Sequence, residues 1–386
     1  MPASLKTNSS SLNQQCEKGL CRNPSPQCIE KSSKVLNIGL INNMPDGALE
    51  ATERQFLSLL DSASDGITVH LSLYVLPDVP RNELGLRHIR DHYSSIESLF
   101  ETRLDGLIVT GREPLTPNLK DEPYWKVFTG VVDWARNNTY STVWSCLAAH
   151  AATLYMDSIS RVRNDHKHCG VFDCARLSDH PLTAGAPFSF KLPHSRWNGL
   201  PPEDLKRCGY RVLTQAAQVG ADIFIKHCKS MFVFFQGHPE YESNTLLLEY
   251  RRDIARFIRG ETDTYPLIPQ AYFDADAVAA LTTLEQKALS YRRDELLIEL
   301  SEILEKARVE NSWHSTAVCI YKNWLQYIYA QKKLLLQRGK DMAGAYAVNP
   351  VIPVPAPAFG SPISTSFATS HRGASPIAIA SRLNIL

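Results

Sequence analysis

Short apolar runs alternate with amphipathic stretches from Val35 to about Gly260. The runs are typical of buried strands, and most are followed by apolar residues at helical spacing. The predicted strands are residues 35–41, 67–76, 105–111, 141–146, 222–227 and 231–237, and the predicted helices are residues 44–60, 92–101, 124–138, 147–156 and 244–260. Strands that alternate with helices pair in parallel through right-handed crossovers. The pattern therefore predicts an α/β fold with a doubly wound, mostly parallel sheet.

Composition divides the chain into four segments. Residues 1–33 are rich in Ser, Asn, Gln and Pro, and residues 340–386 contain six prolines among Ala and Ser. Such segments bury too little apolar surface to offset the entropy lost on ordering, so we predict a disordered arm and a disordered tail. Between them we predict an α/β domain at 34–272 and a helical extension at 273–339 that packs on the core.

The composition and net charge are those of an ordinary soluble protein. The chain has 386 residues, 44% hydrophobic and 21% charged residues, and a net charge of +1, which argues against nucleic acid or an anionic membrane surface as the main partner. No apolar run is long enough for a membrane span, and the N-terminus lacks the apolar region of a signal peptide. With an odd number of cysteines, nine, we expect reduced thiols and a cytoplasmic location.

The strongest chemical signal is Cys146, within VWSCLAAHAA (143–152). A polar residue between a buried strand and a helix forms an elbow that exposes a nucleophile at the carboxyl edge of the sheet. The positive end of the helix dipole favours the reactive thiolate. The backbone N–H of Leu147 is placed to stabilise an oxyanion. The alternative is a buried structural cysteine.

A second signal, GHPEY (237–241), follows another predicted strand. His238 can take the thiol proton and later activate a hydroxyl, and Glu240 can fix the histidine tautomer. The alternative is a polar surface turn. Because ligand sites of such sheets gather beyond the carboxyl ends of the strands, we expect His238 and Glu240 to meet Cys146 and to form a catalytic site for acyl transfer.

Other polar clusters have simpler interpretations. DHKHC (165–169) contains two His, one Asp and one Cys, and three cysteines lie at 16, 21 and 28, but the spacing in the arm matches no trusted zinc pattern. We expect no metal at either place. His150, one helical turn after Cys146, is expected to pack or hydrogen-bond rather than to catalyse.

Taken together, these segments resemble the homoserine O-succinyltransferase family of the class I glutamine-amidotransferase-like superfamily. The resemblance runs from about Val35 to about Gln331. It rests on Cys146 before an Ala-rich helix and on the segments DGLIVTG (105–111), KHCGV (167–171), PHSR (193–196), HPEY (238–241), RD (252–253) and SWHS…NWLQYIY (312–329).

The resemblance implies a ping-pong reaction. Acyl-CoA acylates Cys146, with His238 as the base and Glu240 as its partner, and an amino-acid hydroxyl then attacks the thioester. The substrate-binding residues of the family map onto Lys167, in a loop, and onto Arg196 and Arg252, for which structural ion pairs are the alternative. Acyl-CoA is a co-substrate, no cofactor is implied, and a homodimer is expected.

Two loops depart from the family pattern. Residues 42–52, NNMPDGALEAT, lack the lysine of the family, and Arg112-Glu113-Pro114-Leu115 follows the TG where the family continues Ala-Pro. The family position that selects the acyl group, Gly for succinyl and Glu for acetyl, maps onto Leu115. Succinyl-CoA is preferred over acetyl-CoA, but Leu115 matches neither residue.

Three alternatives stay open from the sequence. The first is an O-acyltransferase that acts on serine or another hydroxylated amino acid in a specialised pathway. The second is an amide hydrolase like the glutamine amidotransferases, although Trp144 and Ala148 replace the glycines that usually flank that cysteine. The third is a non-catalytic binding protein. The preferred interpretation is a homoserine O-acyltransferase of methionine biosynthesis. The sequence leaves the acyl donor, the exact acceptor and the oligomeric state open.

Overall fold

The computed structural model describes residues 3–5 and 34–347. The strands are β1 (Ala3–Leu5), β2 (Val35–Ile41), β3 (Thr68–Tyr74), β4 (Gly106–Thr110), β5 (Ser141–Ser145), β6 (Val162–Arg176), β7 (Ser189–Gly199), β8 (Arg211–Val212), β9 (Thr214–Ala216), β10 (Gly220–Ala221), β11 (Ile223–His227) and β12 (Met231–Phe235). The helices are α1 (Asp46–Ala63), α2 (Glu83–His92), α3 (Ile96–Glu101), α4 (Trp125–Asn138), α5 (Leu147–Asp157), α6 (Pro202–Arg207), α7 (Thr245–Ile258), α8 (Ala275–Ser290), α9 (Glu295–Lys306) and α10 (His314–Ala347).

The main sheet has the order β1-β3-β2-β4-β5-β12-β11-β8. The strands from β1 to β12 in this order pair in parallel, and β11 and β8 are added antiparallel at one edge. The predicted α/β class and mostly parallel sheet are confirmed. Because β4, β5 and β12 are neighbours, the residues that follow them meet at one carboxyl edge.

Both faces of the main sheet are covered by apolar side chains. One face packs against α1 and α10, where Phe56 and Trp324 are fully buried, and the other against α4 and α5. A third apolar cluster joins α7, α8 and α9. The helical extension therefore has its own small core, while Trp313 and the first turns of α10 pack against the sheet.

A second sheet, β10-β9-β6-β7, is antiparallel and was not predicted. Its strands β6 and β7 carry many polar residues and lack the apolar runs of β4 or β5. The prediction that Lys167 lies in a loop is wrong, because Lys167 lies within β6. The register of β6 against β7 shifts between Arg163 and His168, however, so Lys167 lies in an irregular part of the strand.

The helix predicted at 92–101 is in fact two elements. Helix α2, which the sequence analysis did not predict, ends at His92 because Tyr93 is extended. Helix α3 begins at Ile96, and the side chain of Ser95 caps it by accepting a hydrogen bond from the N–H of Ser98. In the predicted arm, Ala3–Leu5 pair with β3 as β1; residues 1–2 and 6–33 lie outside the described residues, as do 348–386 of the predicted tail. The four-segment division stays a prediction.

Chain contacts separate a unit that ends at Arg338 from one that begins at Gly339, and the sheets and the site belong to the first unit. In the part of the chain that is described, no helix combines the length and apolarity needed to cross a membrane.

Candidate active site

Cys146 lies at the elbow between β5 and α5. Its backbone has φ 51° and ψ −111°, a conformation that is strained for any residue with a side chain and that marks functional sites. The N–H of Cys146 donates to the carbonyl of Phe235 at 2.7 Å, and its own carbonyl accepts from the N–H of Ala149 at 3.0 Å. The neighbouring strand and the first turn of α5 thus hold the strained residue in place.

His238 and Glu240 follow β12, the strand next to β5. The Nδ1 atom of His238 lies 2.9 Å from Oε1 of Glu240, and both side chains are buried. The N–H of His238 donates to the carbonyl of Pro193 at 2.8 Å, and the ring of Tyr241 stacks on the imidazole at 4.2 Å between centroids. Because the carboxylate occupies Nδ1, Nε2 is the atom left for the thiol of Cys146.

The groups around His238 favour its protonated form. Burial opposes the imidazolium, but Cys146 and the carboxylate of Glu240 outweigh it and raise the pKa of His238 well above its usual range. Both partners act by charge and by a side-chain hydrogen bond to the imidazole. A protonated His238 beside a thiolate is the arrangement that activates a cysteine nucleophile. The structure thus brings Cys146, His238 and Glu240 together as the sequence predicts.

The predicted oxyanion donor, the N–H of Leu147, lies at the N-terminus of α5. Leu147 is the first residue of α5, so its N–H has no acceptor within the helix. Gly111, after β4, approaches this turn so closely that a Cβ atom there would lie 2.4 Å from Cβ of Leu147 and 2.7 Å from the backbone nitrogen of Ala148. Only glycine allows the loop after β4 to lie against the start of α5.

Lys167 points to a pair of carboxylates on α7. Its Nζ lies 2.7 Å from Oδ2 of Asp253 and 3.8 Å from Oε2 of Glu249. Burial opposes the charge of Lys167, yet the nearby carboxylates, led by Glu249, raise its pKa. Arg252 donates to Oδ1 of Asp253 at 2.8 Å and is about half exposed. Two cations and two carboxylates therefore share one polar surface.

This polar surface connects to His238 through Tyr241. The hydroxyl of Tyr241 donates to Oε1 of Glu249 at 2.6 Å, and the same ring stacks on His238. The hydroxyl of Ser195, on β7, donates to the other oxygen of Glu249. Lys167 is thus linked to His238 through Glu249 and Tyr241, and Arg252 joins this chain through Asp253, which it shares with Lys167.

Arg196 and Leu115 have different surroundings. Arg196 is buried, and its guanidinium donates to Nδ1 of His194 at 3.3 Å, to the carbonyl of Asn198 at 2.6 Å and to the carbonyl of Val219. Burial lowers the pKa of Arg196, and nearby Cys146 acts in the opposite direction. Leu115 is 53% exposed. Substrate binding by Lys167, Arg196 and Arg252, and donor selection by Leu115, stay predictions.

A buried polar network around Asp222, which the sequence analysis did not predict, supports the loop of His238. Asp222 accepts from the N–H of Gly237 at 3.0 Å, and Nε2 of His194 lies 3.4 Å from the same oxygen, Oδ1. Burial raises the pKa of Asp222 to about 6. Its sequence signal is weak, because a single Asp before a strand is common.

Asp222 and His194 also lie close to Cys174, in a group with metal-ligating atoms. The guanidinium of Arg196 donates to Nδ1 of His194, so the proton of the imidazole is on Nε2, and the positive charge next to it disfavours a cation. DHKHC forms no such group among the described residues. His150 is buried, and its Nε2 lies 3.0 Å from Oε1 of Gln236, as a packed, hydrogen-bonded histidine would.

Known proteins are similar to this chain over most of its length. The family model of homoserine O-succinyltransferase matches residues 20–334. The chain is 44% identical over 305 residues to a homoserine O-succinyltransferase of Rhodopseudomonas palustris, covering 79% of this chain and 91% of the relative. It is 43% identical over 294 residues to one of Bradyrhizobium japonicum, covering 76% and 90%.

Among solved structures, a glutamine amidotransferase of Methylobacillus flagellatus superposes with a TM-score of 0.42 at 13% identity, over 77% of this chain and 96% of that one. The family model and the sequence relatives each span most of the chain, including the segments that carry the cysteine, the histidine and the glutamate. This chain belongs to the homoserine O-succinyltransferase family.

Proposed function

We propose that this chain transfers a succinyl group from succinyl-CoA to the hydroxyl of L-homoserine through an acyl-cysteine intermediate. The observation that carries the proposal is the strained Cys146 beside the buried His238–Glu240 pair, in a chain of this family. O-succinylhomoserine formation is a step of methionine biosynthesis, which is the pathway we assign to the protein.

In the first half-reaction, the thiolate of Cys146 attacks the thioester carbonyl of succinyl-CoA. The oxyanion that forms accepts a hydrogen bond from the N–H of Leu147, which costs no reorganisation because α5 already holds it in place. When the C–S bond to coenzyme A breaks, His238 gives its proton to the leaving thiolate. The products are free CoA and succinyl-Cys146, and His238 is left neutral.

In the second half-reaction, neutral His238 takes the proton of the homoserine hydroxyl as its oxygen attacks the thioester. The new C–O bond forms, the C–S bond to Cys146 breaks, and the enzyme returns to the thiolate–imidazolium pair. Glu240 stabilises the imidazolium and keeps the Nδ1 proton in place in both halves.

For the acceptor, we assign Arg252 and Lys167 to the α-carboxylate of homoserine. An arginine binds a carboxylate through two parallel hydrogen bonds, and Arg252 is the more exposed of the two cations. Arg196, whose nitrogens donate to protein atoms, contributes its charge to the Cys146 site. No cofactor is required, and the homodimer and the cytoplasmic location are part of the proposal.

The direct test is steady-state turnover with each pair of substrates. Purified protein is mixed with succinyl-CoA or acetyl-CoA and with homoserine or serine, and both CoA release and the ester product are measured. We expect the highest kcat/KM for succinyl-CoA with homoserine, and a Cys146→Ala variant should form no ester.

Equal or better kcat/KM with serine would move the acceptor to another amino acid. A higher kcat/KM with acetyl-CoA would reassign the donor. Release of ammonia from glutamine, without ester formation, would replace acyl transfer by amide hydrolysis.

A further inference from the structure

A narrow cleft opens beside the first turn of α5. Its walls are mostly apolar, formed by side chains of α4 and α5 together with Leu119 and Tyr124. It also includes Gly111 and Leu147, the residues of the close contact at the oxyanion donor. Among the lining residues, Arg112 carries the one permanently charged side chain.

The guanidinium of Arg112 is incompletely used by the protein. Its Nε donates to the carbonyl of Glu113 at 3.1 Å. Its Nη1 is buried and has no hydrogen-bond partner within the described residues. A buried charged donor without a partner is costly, so this nitrogen is a ready site for an anionic group.

The other cations near the site contact protein groups. Lys167 and Arg252 contact Asp253, and Arg81 contacts Asp46 at 3.2 Å. Arg196 donates to backbone carbonyls and to His194. Arg81 and Arg161 also keep one buried nitrogen without a partner among the described residues, but Arg112 is the one of these cations that lines the cleft beside Leu147.

The proposed reaction brings two different carboxylates to the site. One belongs to homoserine, and the other ends the succinyl group, separated from the reacting carbonyl by two methylenes. An apolar cleft with a guanidinium matches a short hydrocarbon chain that ends in a carboxylate. An acetyl group has no such carboxylate and gains nothing from this site.

We propose that Arg112 binds the free carboxylate of the succinyl group and so selects succinyl over shorter or uncharged acyl donors. This inference rests on the proposed function. Leu115, which the family resemblance implies for donor selection, does not line the cleft and is largely exposed.

The test compares two donors of equal chain length. Succinyl-CoA and butyryl-CoA both carry four-carbon acyl groups, and only the first has the carboxylate. For Arg112→Gln we expect kcat/KM with succinyl-CoA to fall about 10- to 100-fold, the range for a charge-assisted hydrogen bond. The value with butyryl-CoA should stay within about twofold, because a carboxylate-specific contact is worth nothing to that donor. Arg112→Lys should recover part of the loss, and Lys126→Gln, an exposed cation on α4, should change neither donor.

A second measurement does not depend on turnover. 4-Bromobutyrate alkylates a thiolate with loss of bromide and leaves a four-carbon chain ending in a carboxylate, whereas 4-bromobutyramide leaves a neutral one. The rate of Cys146 alkylation by 4-bromobutyrate, divided by the rate with 4-bromobutyramide, should be lower in Arg112→Gln than in the wild type. It should not change in Leu115→Ala.

Equal losses with both donors, or an unchanged rate ratio, would overturn the inference and leave Arg112 as a support of the loop after β4. A change of selectivity in Leu115→Ala alone would assign selection to that residue instead. Failure of the wild type to transfer succinyl to homoserine would overturn the proposed function; failure of this inference shows only in the variants.

Discussion

Trp313 donates its indole N–H to the backbone carbonyl of Tyr241 at 2.9 Å. Trp313 is fully buried just before α10, and Tyr241 stacks on His238. The helical C-terminal part of the chain therefore supports the loop that presents the base and its carboxylate. This contact links the SWHS segment to the loop that carries His238 and Glu240, although the segment lies far from Cys146 in sequence.

Replacing Trp313 by Phe keeps much of the ring and removes the donor. We expect the free energy of unfolding to fall by about 1–3 kcal/mol, because a buried carbonyl loses a partner, and kcat to fall as the Tyr241 loop loosens. Trp324→Phe is the matched control, since its indole N–H bonds to the hydroxyl of Ser141 at the other end of β5. Denaturant unfolding and steady-state kinetics measure both effects. Equal kcat losses in the two variants would contradict the specific link.

Gly111→Ala should damage the site directly. The added methyl group would overlap the first turn of α5, and backbone shifts of about 1 Å at a catalytic group can cost roughly 100-fold in rate. Gly130→Ala, on α4, is the control: its nearest neighbour would be Phe100 at 4.0 Å, so a gain of about 0.5–1 kcal/mol in stability is expected. Retained activity in Gly111→Ala would show that the loop is not needed against α5.

Arg252→Gln tests the acceptor site. We expect KM for homoserine to rise about 10-fold, because one charge-assisted pair at a half-exposed position is lost. Succinylation of Cys146 without homoserine should be unchanged. Arg251→Gln, an exposed neighbour on the same helix, should leave KM unaltered. A slower first half-reaction in Arg252→Gln would assign Arg252 to the donor instead.

Glu240→Gln tests the electrostatics of the base. The charge of Glu240 helps to raise the pKa of His238, so removing that charge should lower this pKa. The alkaline limb of kcat/KM for succinyl-CoA, where the imidazolium loses its proton, should move to lower pH. The rate at the optimum should fall roughly 100-fold. Glu242→Gln, in the same loop, is the control, and an alkaline limb at the wild-type position in Glu240→Gln would contradict the assignment.

His150 predicts a pH dependence of stability. Burial, helped by the charge of Arg196, lowers its pKa to about 3 from a usual 6.5. Between these values the unfolded chain binds a proton that the folded chain does not, so stability is present above pH 6.5 and is lost as the pH falls. His150→Gln should reduce the slope of unfolding free energy against pH in this window by about 1.4 kcal/mol per pH unit. An unchanged slope in urea unfolding series would contradict this.

The strands and the candidate site residues that follow them were predictable from sequence for the same reason. Buried parallel strands such as β4 and β5 are continuous apolar runs, and Cys146 and His238 follow such runs directly. Periodicity and position along the chain are local properties, and they place both residues at one edge of the sheet.

The second sheet and the surroundings of Asp222 and Arg112 depend on contacts between residues that are distant in sequence. The second sheet pairs two polar strands, β6 with β7, and their register shifts at a place that no local sequence pattern reveals. Asp222 supports Gly237, the residue before His238, through a hydrogen bond that forms only in the folded chain. Arg112 appeared in the sequence only as a departure from the family pattern, and its place in the cleft follows from the close approach of Gly111 to α5.

The central claim is that Cys146 carries the succinyl group between the two substrates. Rapid mixing of the protein with succinyl-CoA, without acceptor, followed by intact-mass and peptide analysis, tests it most directly. We predict a stoichiometric burst of CoA and a succinyl adduct on Cys146 that homoserine discharges as O-succinylhomoserine, with no adduct in Cys146→Ala. Ester formation in Cys146→Ala at the wild-type rate, or turnover in the wild type without any adduct or burst, would contradict the account.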